Sequence, residues 1–167
     1  MRKFAVIGAT LALLAGSTAA MSIGSASAAP KSGATSSVQV LHLISHQKSL
    51  QVIDIGKKGP SPGDQVIETT IDFQHGTRVD RSVLNCVDIT VNVTTRRFDA
   101  LCHGTFVFKD GQVEFGGETN FHTPFTVGVT GGSGAYQNVG GQITVERTLP
   151  HSSTDVETLR LVFFETD

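Results

Sequence analysis

The sequence predicts an all-β protein built as one antiparallel barrel or sandwich, and three observations support this. Short apolar runs with period-two alternation follow one another along most of the chain, with almost no helical periodicity. Turn signals separate the runs about every 8–15 residues, a spacing typical of barrels and sandwiches. The 18 glycines and 10 phenylalanines, with one tyrosine and no tryptophan, indicate many turns around a phenylalanine-rich interior.

About eight or nine strands are predicted in chain order. A turn segment at 57–64 contains Pro60 and Pro62 and excludes regular pairing there. Asp110-Gly111 favours a tight hairpin turn, because this dipeptide tolerates positive φ angles. The segment 65–73 alternates one partly polar set of side chains with an apolar set, as in a half-buried strand. The predicted strands are 38–45, 50–55, 65–73, 79–93, 98–108, a run from 113, 121–130, 141–149 and 158–165.

The composition excludes several classes of protein but does not identify an activity. The 167 residues are 39% hydrophobic and 17% charged, which suits a single folded domain rather than a disordered chain. The formal net charge is −2 and basic residues are scattered, which argues against a nucleic-acid-binding protein. Two cysteines exclude a four-cysteine zinc site. A barrel of about eight strands has room for its own side chains or for one small ligand.

The first 28 residues are predicted to be a secretory signal peptide. Met1-Arg2-Lys3 is cationic, 4–15 is apolar, and Ala26-Ser27-Ala28 resembles a cleavage site. The alternative is a membrane anchor, but the apolar run is shorter than the roughly 20 residues that a membrane span needs. Residues 29–37 are expected to be a flexible leader and 38–167 the barrel domain, with no later membrane span. The mature protein is therefore expected to be secreted.

Cys86 and Cys102 lie in the two arms of a predicted long hairpin whose turn is near Thr94. In an exported protein a disulfide is the default expectation, and a free reactive thiol at Cys86 is the alternative. His42 and His46 would lie on one face of a strand about 13 Å apart, too far for one ion. These histidines are expected to be solvated or hydrogen-bonded, and no metal site is predicted.

The glycines of 130–136 suggest either a phosphate cradle or a tight loop. The segment lacks a following Lys-Ser/Thr pair, a following helix and the G-x-G-x-x-G spacing, which argues against phosphate binding. We therefore expect Gly131, Gly132 and Gly134 to form a structural glycine loop.

The segments 125–136 and 139–145 resemble the late barrel strands of allene oxide cyclases, and dirigent proteins carry a similar glycine-rich element. Four further short segments, 52–55, 59–65, 84–87 and 109–113, resemble segments of small exported bacterial members of the allene oxide cyclase-like group. They occur in the same order along the chain. The match spans about residues 40–165. The resemblance implies an eight-stranded calycin-like barrel with an apolar cavity, often a homotrimer.

The resemblance also implies a reaction, the cyclisation of an unstable apolar molecule without a cofactor. The family's glutamate corresponds to Asp54, its water-holding Ser-Pro pair to Ser61 and Pro62, and its cavity cysteine to Cys86. Aspartate is one methylene shorter than glutamate, and Gly56 replaces an asparagine of the family pattern. Strand parity places Asp54 on the face of Leu50 and Val52, although an aspartate at a strand end commonly faces water.

Three functions remain open from the sequence. The first is a cyclase or isomerase acting on a reactive hydrophobic small molecule, with Asp54, Ser61 and Pro62 as catalytic residues. The second is a dirigent-like or lipocalin-like barrel that binds a ligand without chemistry of its own. The third is a structural module whose interior is filled by its phenylalanines, with no cavity of about 300 Å³.

Overall fold

The computed structural model describes residues 36–95, 97–122, 124–149 and 152–164, which form nine β-strands and no helix. No stretch of these segments forms a helix that could cross a membrane. The predicted signal peptide and most of the predicted leader lie outside the described residues. The strands are β1 (Ser36–Ile53), β2 (Gln65–Gln74), β3 (Thr77–Asp80), β4 (Ser82–Asn92), β5 (Arg97–Phe108), β6 (Gly111–Thr119), β7 (Phe125–Gly134), β8 (Val139–Arg147) and β9 (Thr154–Phe164).

Eight of the strands close into an antiparallel barrel. Their order is β1-β9-β8-β7-β6-β5-β4-β2, and pairing between β1 and β2 closes the ring. The short strand β3 pairs with the end of β2 and stands outside the closed barrel. The predicted all-β fold with an eight-stranded barrel is confirmed.

Strand β1 differs from the prediction of two short strands separated by a polar segment. It is continuous, and a bulge between Gln47 and Ser49 accommodates Lys48 while pairing with β2 continues. The polarity of this segment therefore reflects a bulge rather than a turn. Strand β1 pairs with β9 through Ser36–His46 and with β2 through Ile44–Ile53. Because it contacts both neighbours in this staggered way, one strand closes the barrel.

In β2 the polar side chains point into the barrel and the apolar ones point outward, the reverse of the usual arrangement. Asp72 is fully buried, and Glu68 and Thr70 line a cavity inside the barrel. Because side chains alternate along a strand, Ile71 and Phe73 point to the outside. The polar set of the alternating segment is thus the inward one.

One end of the barrel is closed by aromatic rings. Phe106 stacks on Phe108 and packs at a tilt against Phe115, and Tyr136 lies between Phe108 and Phe163, with ring centroids 4.9 Å and 6.3 Å away. The buried aliphatic side chains that pack with them come from β1, β6, β7, β8 and β9. The opposite end, where β1 ends and β2 begins, is the open mouth of the barrel.

The glycine-rich segment forms the end of β7 and the turn that follows it. Gly131 and Gly132 pair with β6, so the loop predicted there is in part a strand. Gly134 has φ +63°, in the left-handed region that favours glycine. A Cβ at Gly132 would collide with the backbone oxygens of Tyr136 and Gln112. Close backbone approach therefore requires glycine at Gly132, and the turn favours it at Gly134.

Candidate functional site

A small cavity of about 70 Å³ lies inside the barrel, and we call it the inner cavity. Phenylalanine rings occupy most of the space around it, and carboxyl groups line one side. Its volume is sufficient for a few water molecules but not for a drug-sized ligand. The lining residues are Glu68, Thr70, Ser82, Leu84, Cys102, Phe106, Phe115, Phe121, Phe125, Val127, Ile143, Val145, Arg147, Asp155 and Glu157.

A row of five directly paired residues runs across five strands beside this cavity. Asp72 on β2 is the register partner of both Asp80 on β3 and Ser45 on β1. Ser45 is in turn the partner of Asp155 on β9, which pairs with Arg147 on β8. Directly opposite residues lie about 4.5–5.5 Å apart at Cβ. The row thus places three carboxyl groups, one hydroxyl and one guanidinium within reach of their neighbours.

Glu157 is a buried carboxyl group that lines the inner cavity. Its pKa is raised from 4.5 to about 8, mainly by burial and also by the nearby Asp72, Asp155 and Glu68 carboxylates, against a lowering by the Ser45 hydroxyl. Its Oε2 atom has no hydrogen-bond partner in the described structure. The side chain is consequently a carboxylic acid at neutral pH, with a proton available to donate.

Asp72 and Asp80 are also buried, at 0% and 4% exposure. Burial raises the pKa of Asp72, while the hydrogen bond from Thr70 and the nearby Ser45 hydroxyl lower it. Burial and the Asp72 carboxylate together raise the pKa of Asp80 to about 7. Two like charges so close disfavour each other, so Asp80 loses its proton only near pH 7.

Hydroxyl groups link the carboxyl groups to the rest of the cavity. The Thr70 hydroxyl donates to Asp72 Oδ1, and Thr70 Oγ1 lies 2.7 Å from Ser82 Oγ. Ser45 Oγ makes no hydrogen bond of ordinary geometry within the described residues, although it stands beside both Asp72 and Glu157. The hydroxyl can therefore rotate to serve either carboxyl group.

Arg147 brings the one basic side chain of the row to the edge of the cavity. Its Nε donates to Asp155 Oδ1 at 3.2 Å, and the pair is partly exposed. Glu68 lines the same edge, and its pKa is raised by burial and by Asp155, against a smaller lowering by Arg147. The row is therefore ionic at its exposed end and protonated at its buried end.

A second, larger pocket of about 390 Å³ lies at the open end of the barrel, and we call it the mouth pocket. Asp54 lies here, together with Val52 from the end of β1. The Asp54 side chain is exposed, and its Oδ2 accepts a hydrogen bond from Gly59 N at 2.9 Å. The pocket is lined by Val52, Asp54, Gly59, Pro60, Asp64, Val66, Asp88, Phe98, Asn120 and Phe121.

Asp64 organises the loop that carries the predicted Ser-Pro pair. Its carboxylate accepts hydrogen bonds from Ile55 N and Ser61 N, both at 2.8 Å, and these bonds together with one from the Ser61 hydroxyl lower its pKa against a smaller effect of burial. Ser61 directs its hydroxyl toward backbone oxygens of this loop and toward Asp64. Pro62 is exposed. Ser61 thus shapes the loop, while the neighbouring Gly59 and Pro60 line the mouth pocket.

Cys86 and Cys102 form a disulfide, as predicted for the long hairpin. They are register partners on β4 and β5, and both are buried. The alternative of a free thiol at Cys86 is therefore excluded. The disulfide packs with Ala100, Val66, Leu84 and Phe121 at the mouth end of the barrel.

The histidines of β1 make ordinary polar contacts on the outside of the barrel. His42 Nδ1 lies 3.2 Å from Thr158 Oγ1, and His46 Nδ1 lies 3.0 Å from Thr154 Oγ1. Among the described residues no group of three or more histidine, cysteine, aspartate or glutamate side chains is arranged to hold a metal ion.

The sequence predictions missed the carboxyl groups of the inner cavity. Glu157 was not among the predicted strand residues, because the last strand was expected to begin at residue 158, whereas β9 begins at Thr154. The correct pattern was present, since Glu157 alternates with Leu159 and Leu161, both fully buried. A glutamate in register with core leucines indicates an inward acid.

Comparison with solved structures finds several related barrels. A pyocyanin demethylase matches with a TM-score of 0.65 and 26% identity, over 74% of this chain and 99% of that chain. A Diels–Alderase from Streptomyces koyangensis matches with a TM-score of 0.60 and 16% identity, over 81% of this chain and 71% of that chain. A pterocarpan synthase dirigent protein matches with a TM-score of 0.62 and 15% identity, over 78% of this chain and 97% of that chain.

Sequence comparison adds no further relative: no family model matches the chain, and a search of curated proteins finds no match. The structural neighbours are consistent with the resemblance to cyclase and dirigent barrels that the sequence motifs indicate. At these identities the Diels–Alderase and the dirigent protein establish a common fold. The chain thus has the antiparallel barrel that is shared by cyclases and dirigent proteins.

Proposed function

We propose that this protein is a cofactor-independent enzyme that cyclises or isomerises a hydrophobic small molecule inside the barrel, with Glu157 as the proton donor. The observation that carries this proposal is a protonated glutamate, with an unpartnered oxygen, facing a cavity lined by aromatic rings. General acid catalysis works best when the pKa of the acid is near the working pH. A pKa of about 8 meets that condition.

Ser45 and Asp72 support the proposed proton transfer by Glu157. When Glu157 gives its proton to the ligand, the resulting carboxylate is stabilised by the Ser45 hydroxyl. The proton released later by the product returns to Glu157, so cyclisation or isomerisation is balanced without an external reagent. Asp72 accepts a hydrogen bond from Thr70. Its charge raises the pKa of Glu157 and so favours the protonated form of Glu157. Pairs of carboxyl groups whose pKa values differ commonly divide acid and base roles.

The shape of the site supports a flat, mainly apolar ligand. Phe106, Phe115, Phe121 and Phe125 surround the inner cavity, and aromatic rings stack on planar ligands. The cavity must enlarge to admit such a molecule. The neighbouring demethylase acts on pyocyanin, and we therefore choose pyocyanin as one of the first candidate ligands.

The experiment compares conversion of a ligand panel by the wild type and two variants. The panel contains pyocyanin and unsaturated fatty acid epoxides, and products are detected by liquid chromatography with mass spectrometry. Glu157→Gln keeps the side-chain volume and removes the ionisable proton. It is expected to lower turnover about 100-fold or more. Equal turnover by Glu157→Gln and the wild type would contradict the assignment.

The variant Asp54→Ala, tested in the same experiment, distinguishes the contribution of the mouth pocket from that of the inner cavity. We propose that Asp54, with the loop of Ser61 and Pro62, guides the ligand at the mouth, because Asp54 lines the mouth pocket and its side chain is exposed. Asp54→Ala is then expected to raise KM more than it lowers kcat. A loss of kcat in Asp54→Ala with none in Glu157→Gln would transfer the catalytic role to the residues predicted from the sequence.

A second candidate function is a dirigent-like barrel that holds a ligand without chemistry of its own. The dirigent protein among the structural neighbours and the aromatic lining of the inner cavity favour it. A ligand retained in native mass spectrometry and released unchanged, with equal affinity for the wild type and Glu157→Gln, would identify this function.

We further propose that the protein is exported and forms a homotrimer. The Cys86–Cys102 disulfide supports an oxidising compartment. The family resemblance supports a trimer, and so do the outward side chains Val38, Val40 and Ile44 on β1, which are 45% to 52% exposed. Light scattering should give three times the monomer mass, and Ile44→Lys should dissociate the assembly. A monomeric wild type would contradict the trimer, and an uncleaved cytoplasmic chain would contradict export.

A further inference from the structure

Phe121 lies where three cavities meet. Its side chain lines the inner cavity, the mouth pocket and a third pocket of about 250 Å³ at the side of the mouth. Among the residues that the structure describes, Phe121 is the one that lines both the inner cavity and the mouth pocket. The ring is therefore the common wall between the carboxyl groups inside the barrel and the space outside.

The backbone at Phe121 is in an unusual conformation. Its φ is +57°, in the left-handed region that non-glycine residues seldom occupy. The conformation is held by two local hydrogen bonds, from Phe121 N to Thr119 Oγ1 and from His122 N to Asn120 Oδ1, both 3.1 Å long. Such backbone strain persists where the surrounding structure fixes it and is frequent at ligand clamps and switch regions.

We propose that Phe121 is the specificity-determining gate of the barrel: its ring controls which ligands pass from the mouth pocket to Glu157. The inference rests on the proposed function, because it concerns access to the same inner site. Rotation of the ring away from the disulfide would join the inner cavity to the mouth pocket. The joined space would extend from Asp54 to Glu157 and would exceed the volume of either cavity alone.

The surroundings of the ring favour a movable wall over a fixed part of the core. Phe121 packs against the Cys86–Cys102 disulfide but is only partly buried, unlike Phe106 at the closed end. It belongs to the connection between β6 and β7 rather than to a strand. The two hydrogen bonds of this turn are made by the backbone N–H groups of Phe121 and His122, so a χ1 rotation of Phe121 leaves them and the barrel hydrogen bonds intact.

The experiment measures access directly with a neutral, flat fluorescent probe, N-phenyl-naphthylamine. Stopped-flow fluorescence gives its association rate with the wild type, Phe121→Ala and Phe121→Leu. The matched control is Phe98→Ala, which removes a ring from the mouth pocket without touching the inner cavity. Circular dichroism and thermal melting confirm that each variant is folded.

If Phe121 is the gate, association should be at least about tenfold faster in Phe121→Ala and intermediate in Phe121→Leu, whereas Phe98→Ala should change the rate much less than Phe121→Ala does. Substituting Glu157→Gln in the Phe121→Ala background should change the fluorescence of the bound probe, which places the probe in the inner cavity. Equal rates in the wild type and Phe121→Ala, with this Glu157 effect present, would overturn the gate and leave the proposed function standing. Failure of the probe to bind any variant would overturn both.

A second readout needs no ligand. Removing the ring should expose the disulfide, so a water-soluble phosphine should reduce it several-fold faster in folded Phe121→Ala than in Phe98→Ala. Unchanged reduction, together with unchanged probe association, would show that Phe121 does not separate the barrel interior from the mouth.

Discussion

Asp72 and Asp80 lie directly opposite each other on β2 and β3, and each keeps one carboxyl oxygen without a hydrogen-bond partner among the described residues. Both side chains are buried, and the Asp72 carboxylate disfavours ionisation of Asp80. With Glu157 they give the barrel interior a store of protons at neutral pH. Solvated carboxyl groups on the surface would have lost these protons well below pH 7.

The buried acids predict that the protein is less stable in mild alkali than in mild acid. The folded pKa of Glu157 is about 8 against 4.5 when exposed, so the folded state binds more protons between these values and stability falls as pH rises. Each pKa unit corresponds to about 1.4 kcal/mol, so the loss is a few kcal/mol. Melting temperatures from pH 5 to 9 should therefore decrease.

Glu157→Gln provides the control for this pH dependence. The amide is neutral at every pH, so the variant should melt above the wild type at pH 8.5 and show a flatter profile, with the remaining slope due largely to Asp80. A wild-type melting temperature that is constant or rises between pH 5 and 8 would contradict the buried-acid interior.

Removing the disulfide should destabilise the barrel without changing its fold. The bond closes a loop with a sequence separation of 16, for which chain-entropy estimates give about 3 kcal/mol. Cys86→Ala with Cys102→Ala should lower the free energy of unfolding by about that amount in urea titrations. A reductant should destabilise the wild type similarly and leave the double variant unchanged. Two free thiols in the denatured, unreduced wild type would refute the bridge.

Two glycines of β7 should differ sharply in their tolerance of alanine. A Cβ at Gly132 meets backbone atoms of Tyr136 and Gln112, whereas at Gly128 the nearest atom, Gly116 O, is 3.7 Å away. Gly132→Ala should cost about 1–3 kcal/mol through overpacking, and Gly128→Ala should be close to neutral. Chemical denaturation of both variants measures the difference. Equal stabilities would show that the β7–β8 turn can move.

Asp64 should hold the mouth loop more firmly than Asp54 does. Asp64 accepts two backbone hydrogen bonds that span the loop, and Asp54 accepts one from Gly59. Hydrogen exchange in 54–64 should therefore quicken in Asp64→Asn and change little in Asp54→Asn. Because the pKa of Asp64 is lowered by these bonds, its support is lost only in acid, below the usual value of 3.8. Equal hydrogen-exchange rates in the two variants would show that contacts other than those of Asp64 hold the loop in place.

Local patterns in the sequence predicted the barrel and the disulfide because both follow from short-range spacing. The alternating strands, the Asp110-Gly111 turn and the hairpin around Thr94 set the register that brings Cys86 opposite Cys102. The family resemblance pointed to Asp54, Ser61 and Pro62, which lie in the loop at the mouth.

The buried acids could not be located in the same way, because alternation does not say which face of a strand is inward. In β2 the apolar alternative, with Ile71 and Phe73 inside, was equally compatible with the pattern. Only closure of β1 against β2 turns Asp72 toward the interior, where Ser45 and Glu157 meet it. Phe121 was likewise expected in a strand, and its role at the mouth depends on a turn at Thr119 and Asn120 that side-chain hydrogen bonds create.

The ionisation of Glu157 tests the central claim most directly. Carbon-13 NMR of side-chain carboxyl groups, with Glu157 assigned by comparison with Glu157→Gln, follows its protonation from pH 4 to 10. The structure predicts a midpoint near pH 8, displaced when a ligand occupies the inner cavity. A midpoint near the ordinary 4.5 would mean that Glu157 is a carboxylate at neutral pH, and the barrel would then hold no glutamic acid to donate a proton.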